Sequence, residues 1–91
     1  MDTVEVVLTT WSTDRTALRQ VRREVFIVEQ SVPEELEWDD DDPVSVHALA
    51  TLNREPVGTG RLTPAGKIGR VAVCQRCRGS GLGLRIMKLL L

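Results

Sequence analysis

At 91 residues, 42% of them hydrophobic and 27% charged, the chain has room for one small globular domain, residues 1–91, with a modest core. No run approaches the roughly 18 apolar residues of a membrane span, and the N-terminus carries an acid early and no basic n-region, which argues against a signal peptide and for a cytoplasmic location. The formal net charge of −1, with basic residues not interleaved with the aromatics Trp11, Phe26 and Trp38, speaks against nucleic acid as a partner, and no anchor supports a membrane role.

The charge is unevenly spread. Residues 1–55 hold all 13 acids beside Arg15, Arg19, Arg22, Arg23 and Arg54, whereas residues 56–91 hold Arg61, Lys67, Arg70, Arg76, Arg78, Arg85 and Lys88 and no acid. In one reading the two halves complement each other within the fold. In the other, the last third carries an anion site and the middle a cation-attracting surface. Composition alone favours the first.

Residues 4–9, VEVVLT, are rich in β-branched side chains and predict a strand. Ser12 or Thr13 is the expected cap of a helix over residues 14–29, with Asp14 suited to the positive end of its dipole. Leu18, Val21, Val25 and Val28 form its apolar face, and Arg15, Arg19, Arg22 and Arg23 lie mostly off it. Pro33 and Pro43 bracket an acidic stretch with seven acids between Glu34 and Asp42. It reads as a loop with one short helical turn over residues 34–38, its aspartates solvated because they repel one another. The glycine and spaced ligands of a calcium loop are absent. Within reach of a cleft, such a loop would draw in a cationic amine.

Three strands follow. Residues 46–52 alternate, with Val46, Ala48, Ala50 and Leu52 on one face and His47, Leu49 and Thr51 on the other. A turn over 53–56 leads to a strand over 57–62, where Gly58 and Gly60 signal a bulge or a close backbone approach. A second turn over 63–66 leads to a strand over 67–73, whose end is apolar on both faces and is therefore expected to lie centrally. Connections this short make an antiparallel meander. His47 is expected to be a packed or half-exposed structural side chain, and Arg61 and Arg70 to form salt bridges with the acidic half. The last helix starts near Gly81, with Leu82, Ile86, Leu89 and Leu90 as its stripe and Arg85 and Lys88 on its polar side. Cys74 and Cys77 form a C-x-x-C, but a zinc site wants a second pair, so two reduced thiols and no metal are expected.

Between the last strand and the last helix lies Arg78-Gly79-Ser80-Gly81-Leu82-Gly83. Glycines let the backbone turn tightly and approach a ligand. The first N–H groups of a helix lack intrahelical partners and sit at its positive end, so such a terminus binds phosphate or diphosphate. Arg76, Arg78 and Arg85 add full charges. The P-loop pattern is absent, and the dinucleotide fingerprint fails because its third glycine would fall at Leu84. Spacing alone leaves a ligand and a plain glycine-rich connection equally open.

Val71-Ala72-Val73, a short loop, and Arg78-x-x-Gly81-x-Gly83 opening a helix resemble the acetyl-coenzyme A motif of the GNAT-type N-acetyltransferases, in which Gln or Arg is followed by two residues, Gly, one residue, and Gly or Ala. More narrowly, VRREVFIVEQSVPEELEWDDDD, His47 and VGTGRL resemble the ElaA-like branch of that superfamily. The resemblance runs from about residue 5 to residue 91. It implies an α+β (α/β) fold, the N-terminal part of a GNAT acyl-CoA N-acyltransferase, in the order β-α-(short α)-β-β-β-α with a mostly antiparallel sheet flanked by helices. It implies acetyl-CoA (coenzyme A) as co-substrate and a primary amine attacking the thioester directly. Backbone groups of Val71, Ala72 and Val73 would pair with the pantetheine arm, and a backbone N–H near Val73 would polarise the acetyl carbonyl. The amides of Arg78, Gly79, Ser80, Gly81, Leu82, Gly83 and Leu84 would cradle the diphosphate. Glu29, at the end of the first helix, is the candidate general base, with Glu24 earlier on it. Family domains continue with a further strand that walls the cofactor slot, and a tyrosine there often protonates the thiolate; this chain has no tyrosine. A C-terminally shortened domain that forms a homo-oligomer is therefore expected. The alternative to an enzyme is a CoA-binding remnant or an oligomeric interaction module.

Overall fold

In the computed structural model, which describes residues 2–91, the chain enters as strand β1 (Val4–Thr10) and turns at once into helix α1 (Trp11–Arg22). A π-helical segment (Arg23–Glu29), a short helix α2 (Glu34–Glu37) and a 3-10 turn (Asp42–Val44) lead to β2 (Val46–Leu52), β3 (Glu55–Leu62) and β4 (Ile68–Val73). A 3-10 turn (Gln75–Cys77) then precedes helix α3 (Leu82–Leu90). The strands form one antiparallel sheet in the order β1-β2-β3-β4. The expected meander and the α+β arrangement are both present. No helix among the described residues is long and apolar enough to cross a membrane.

Helix α1 begins earlier than its periodicity suggests. Thr10, rather than Ser12 or Thr13, is the cap: its Oγ1 accepts from the Thr13 N–H at 3.2 Å. Asp14 departs from helical geometry and accepts from Thr9 Oγ1 at 2.5 Å, so the first turn is kinked. Leu18, Val21 and Val25 are buried as expected, but Val28 is 72% exposed. The π-helical segment explains the difference. Its i→i+5 bonding, seen in Gln30 N–H to Val25 O at 3.0 Å, turns each residue through less than the α-helical step and carries Val28 off the stripe.

Strand alternation sends His47 and Arg61 to the sheet face beneath α1, and Ala48, Ala50, Gly58 and Gly60 to the face beneath α3. The two β3 glycines mark a close approach. A Cβ on Gly60 would lie 2.6 Å from Ile86 Cγ2 and 2.8 Å from Leu90 Cδ1. Ile86 and Leu90 therefore sit directly on the β3 backbone, and with Leu82, Val21, Val25, Ala48, Ala50, Val57, Ala72 and Cys74 they form the core cluster.

One expectation about the sheet is corrected. Strand β4 pairs with β3 alone and lies at the edge. Its Val71 and Val73 are only half-buried, although Ala72 is fully covered. Apolar residues on both faces of a strand report cover from above and below; they carry no information about a neighbour alongside.

Candidate active site

The end of β4, the loop and the start of α3 meet at this open edge. The Cys74 N–H donates to the Val57 carbonyl at 2.8 Å. By alternation the N–H and C=O of Val73, and those of Val71 before it, face away from β3. Ala72 directs its groups inward, so two of the three expected strand residues have outward amides. Gly81 opens α3 at φ +80, the left-handed region that glycine enters without strain, and no side chain caps the helix. Ser80, the nearest hydroxyl, donates instead to the Cys77 carbonyl at 2.6 Å. The N–H groups of Leu82, Gly83 and Leu84 thus have no intrahelical acceptor. Arg76 and Arg85 rim a cleft of about 270 Å³ beside them, with Leu52, Val57 and Leu82 in its floor. The sheet edge and the helix start together present outward amides flanked by Arg85 and by Arg76, which is itself paired with Glu55 at 3.5 Å and Glu24 at 3.9 Å.

Arg78 bridges this line to the first helical unit. Its Nε donates to the Val73 carbonyl at 3.0 Å, and its two Nη atoms form a fork with both oxygens of Glu29 at 2.5 and 2.7 Å. The hydrogen bonds from Arg78 hold the Glu29 carboxyl below the usual carboxylate range. Glu24, the other candidate base, faces Cys74. Burial, reinforced by the hydrogen bond to Glu24, pushes the Cys74 thiol up to about 12, so Cys74 is an inert packed thiol. Both cysteines are free. Among the described residues, no group of three or more His, Cys, Asp or Glu is placed to hold a metal ion.

Behind the edge lies a feature that hydropathy does not report. The acidic segment is not wholly solvated: Glu37 and Asp42 are buried, and so is Arg22, at 1% exposure. Arg22 Nε donates to Glu37 Oε2 and its Nη1 to Asp42 Oδ1, each at 2.7 Å, while Nη2 reaches the Glu37 carbonyl at 2.7 Å. Arg61 Nη1 joins Asp39 at 2.6 Å and Asp42 at 3.0 Å. Arg70 Nη2 joins Asp39 at 3.1 Å. The Trp11 and Trp38 rings, 6.4 Å apart, flank the Arg22 guanidinium at 5.5 and 5.1 Å. His47 is packed against Trp11 and bonds the Asp42 carbonyl through Nε2 at 2.9 Å. The unequal charge of the two halves is in large part internal complementarity, as composition favoured. The acids expected to attract an external cation are largely matched by arginines of the same chain. Arg22 was legible only as a residue beside the stripe, although its place four residues after Leu18 puts it on the buried side.

The pH dependence follows from these groups. Burial alone would raise the Asp42 carboxyl, but the Arg22 hydrogen bond and charge outweigh it, so Asp42 titrates below its ordinary range. Asp39 behaves likewise through Arg61. Burial lowers His47. In each case the unfolded chain binds protons more readily than the folded one, so stability falls as pH falls. The decline is expected to begin near the unfolded histidine value of about 6.5 and to steepen below the aspartate value of about 3.9. Melting temperatures by circular dichroism between pH 8 and 3 check this: H47Q should flatten the upper part only.

Comparison with known proteins bears on what this edge does. Residues 14–91 match the acetyltransferase (GNAT) family. Over 73 residues the chain is 41% identical to the uncharacterized N-acetyltransferase YjcF of Bacillus subtilis, which covers 77% of this chain and 52% of that protein. The structure superimposes on Escherichia coli ElaA with a TM-score of 0.80 at 31% identity, over 94% of this chain and 66% of that one. An acyl-CoA N-acyltransferase from Pseudomonas aeruginosa gives a TM-score of 0.82 at 31% identity, with the same coverage. The chain spans about half the length of the curated relatives it matches.

Proposed function

This chain belongs to the acetyltransferase (GNAT) family, and from that premise we propose that it binds acetyl-coenzyme A along the β4 edge and delivers the acetyl group to a primary amine. The supporting observation is the run of outward-facing amides from Val71 and Val73 to the uncapped start of α3 at Gly81. In this reading the amides of Val71 and Val73 pair with the pantetheine arm as an added strand would. The amides of residues 79–84 receive the diphosphate, the Arg78 N–H being given to the Gln75 carbonyl at 3.2 Å, with Arg76 and Arg85 supplying charge from the flank. The Val73 N–H is the donor that stabilises negative charge developing on the thioester oxygen. The thioester supplies an acyl group activated for direct attack by a neutral amine nitrogen.

Two measurements test this. Calorimetry should register one-to-one binding of coenzyme A with a matching rise in melting temperature. Release of free thiol from acetyl-coenzyme A, followed across a panel of primary amines, should separate turnover from binding alone. No heat and no thermal shift, from a chain with an intact circular dichroism spectrum, would overturn the proposal.

Glu29 takes a different part in this scheme from that of a general base. A base for amine deprotonation needs an affinity for protons near neutrality, and the Arg78 fork drives Glu29 the other way. The same fork occupies the arginine nearest the diphosphate cradle. E29Q is therefore expected to tighten coenzyme A binding by about threefold to tenfold, through release of a charge-assisted donor, and to leave the turnover rate within about threefold. Titration calorimetry and steady-state rates check this. A large loss of rate without tighter binding would return Glu29 to the role of base.

A further inference from the structure

We propose that Arg70 is the positioning residue of the cofactor-binding edge, through which the acidic segment between α1 and β2 sets the direction of the β4 amides. The proposal rests on the coenzyme A reading above and names how that site is held.

The backbone carries the first observation. Arg61 faces Gly69 and Thr59 faces Ala72 across the β3–β4 ladder. Arg70 and Val71 together therefore stand opposite the single residue Gly60, which is a bulge in β4. Bulges bend a strand and re-aim the residues that follow. Here the re-aimed groups are those of Val71, the second residue of the bulge, and of Val73 beyond it. At the bulge Arg70 adopts φ +50, a left-handed conformation that an L side chain rarely takes and that glycine would take freely. An arginine at this point must be held by its surroundings.

It is held at both ends. The Arg70 carbonyl accepts from the hydroxyl of Thr59, a buried residue, at 3.1 Å. The guanidinium donates to Asp39 Oδ2 at 3.1 Å and to the Glu37 carbonyl at 3.3 and 3.4 Å, and it pairs with Glu37 Oε2 at 3.3 Å. Its partners are themselves fixed: Glu37 by the buried Arg22 and Asp39 by Arg61. A chain of fork-shaped hydrogen bonds thus runs from the C-terminal end of α1 to the bulge. Salt-bridge formation alone would be served by an arginine at an unstrained strand position. Its placement at the bulge, immediately before the outward amides, is what a tether for the edge requires.

The test uses R70G, which keeps the left-handed backbone accessible and removes the tether. The chain should stay folded by circular dichroism, while its affinity for coenzyme A falls by about tenfold or more. R70K, which keeps the charge but not the fork, should recover only part of the loss. R70G binding within about twofold of the parent overturns the proposal, as does a fall in melting temperature with affinity unchanged in the folded chain. A second readout is independent of coenzyme A: hydrogen exchange at the Ala72 and Cys74 amides, which face β3 on either side of Val73, should accelerate in R70G, and unchanged exchange overturns the tether. If the parent chain itself binds no coenzyme A, the function reading fails while exchange still decides the role of Arg70. Should R70G not fold, D39N removes a guanidinium partner with Arg70 in place and is read by the same two measurements, with the same outcomes supporting or overturning.

Discussion

Replacing Arg22 with methionine is expected to destabilise the chain by about 3–5 kcal/mol, because removal of one partner from a buried ion pair leaves the other charges uncompensated. For a domain of this length that corresponds to a fall in melting temperature of roughly 12 °C or more. Arg22 is 1% exposed and neutralises Glu37 and Asp42, which are 3% and 1% exposed. Methionine fills much of the space between Trp11 and Trp38 but offers neither carboxylate a donor. Arg61 still reaches Asp42, whereas Glu37 keeps only the partly exposed Arg70. Adding E37Q and D42N to R22M should recover part of the loss, since the cost lies in unpaired charge rather than in missing volume. Differential scanning calorimetry of the three chains decides this. A loss under about 1 kcal/mol for R22M would mean that the cluster is effectively solvated.

The second large effect is expected at Gly83. The fold has no need of glycine there: a Cβ would meet only Val73 Cγ2, at an ordinary 3.8 Å. Within a helix, glycine is about 1 kcal/mol less favourable than alanine. G83A should therefore raise the melting temperature by a few degrees, about 4–8 °C per kcal/mol for a domain of this size. If the amides of the first α3 turn receive a diphosphate, the same methyl group stands in the ligand's path. G83A should then weaken coenzyme A binding by about tenfold, and G83L by about a hundredfold or more, as for any displacement on the order of an ångström at a preorganised site. A gain in stability with a loss of binding cannot arise from damage to the fold. Unaltered affinity in G83L would remove the diphosphate from this helix start. Gly81 is less decisive, because at φ +80 any side chain strains the backbone as well.

The elements and their order were legible because they follow from local pattern. Alternation identified β2, the glycines of β3 announced a bulge or a close approach, and the stripe of Leu82, Ile86, Leu89 and Leu90 identified the last helix, although not that it packs on the sheet through Leu82, Ile86 and Leu90 alone. The glycine-rich connection that opens α3 was legible from residue type alone. What escaped has two physical causes. Hydropathy assigns charged residues to solvent, so it cannot see that Arg22, Glu37 and Asp42 are buried because each compensates another across 15 to 20 residues. Periodicity assumes a constant turn angle, so the π-helical segment and the exposure of Val28 lie outside its reach. The edge position of β4 and the bulge at Arg70 are properties of pairing, which no single strand encodes.

Both tryptophans of the chain, Trp11 and Trp38, belong to the cluster around Arg22, and there is no tyrosine. Ultraviolet emission from this molecule therefore originates almost entirely at one corner, where α1 meets the acidic segment. Any titration followed by fluorescence reports whether that corner is docked, and a probe placed elsewhere, such as a label on half-buried Cys77, is needed to follow the opposite end of the sheet.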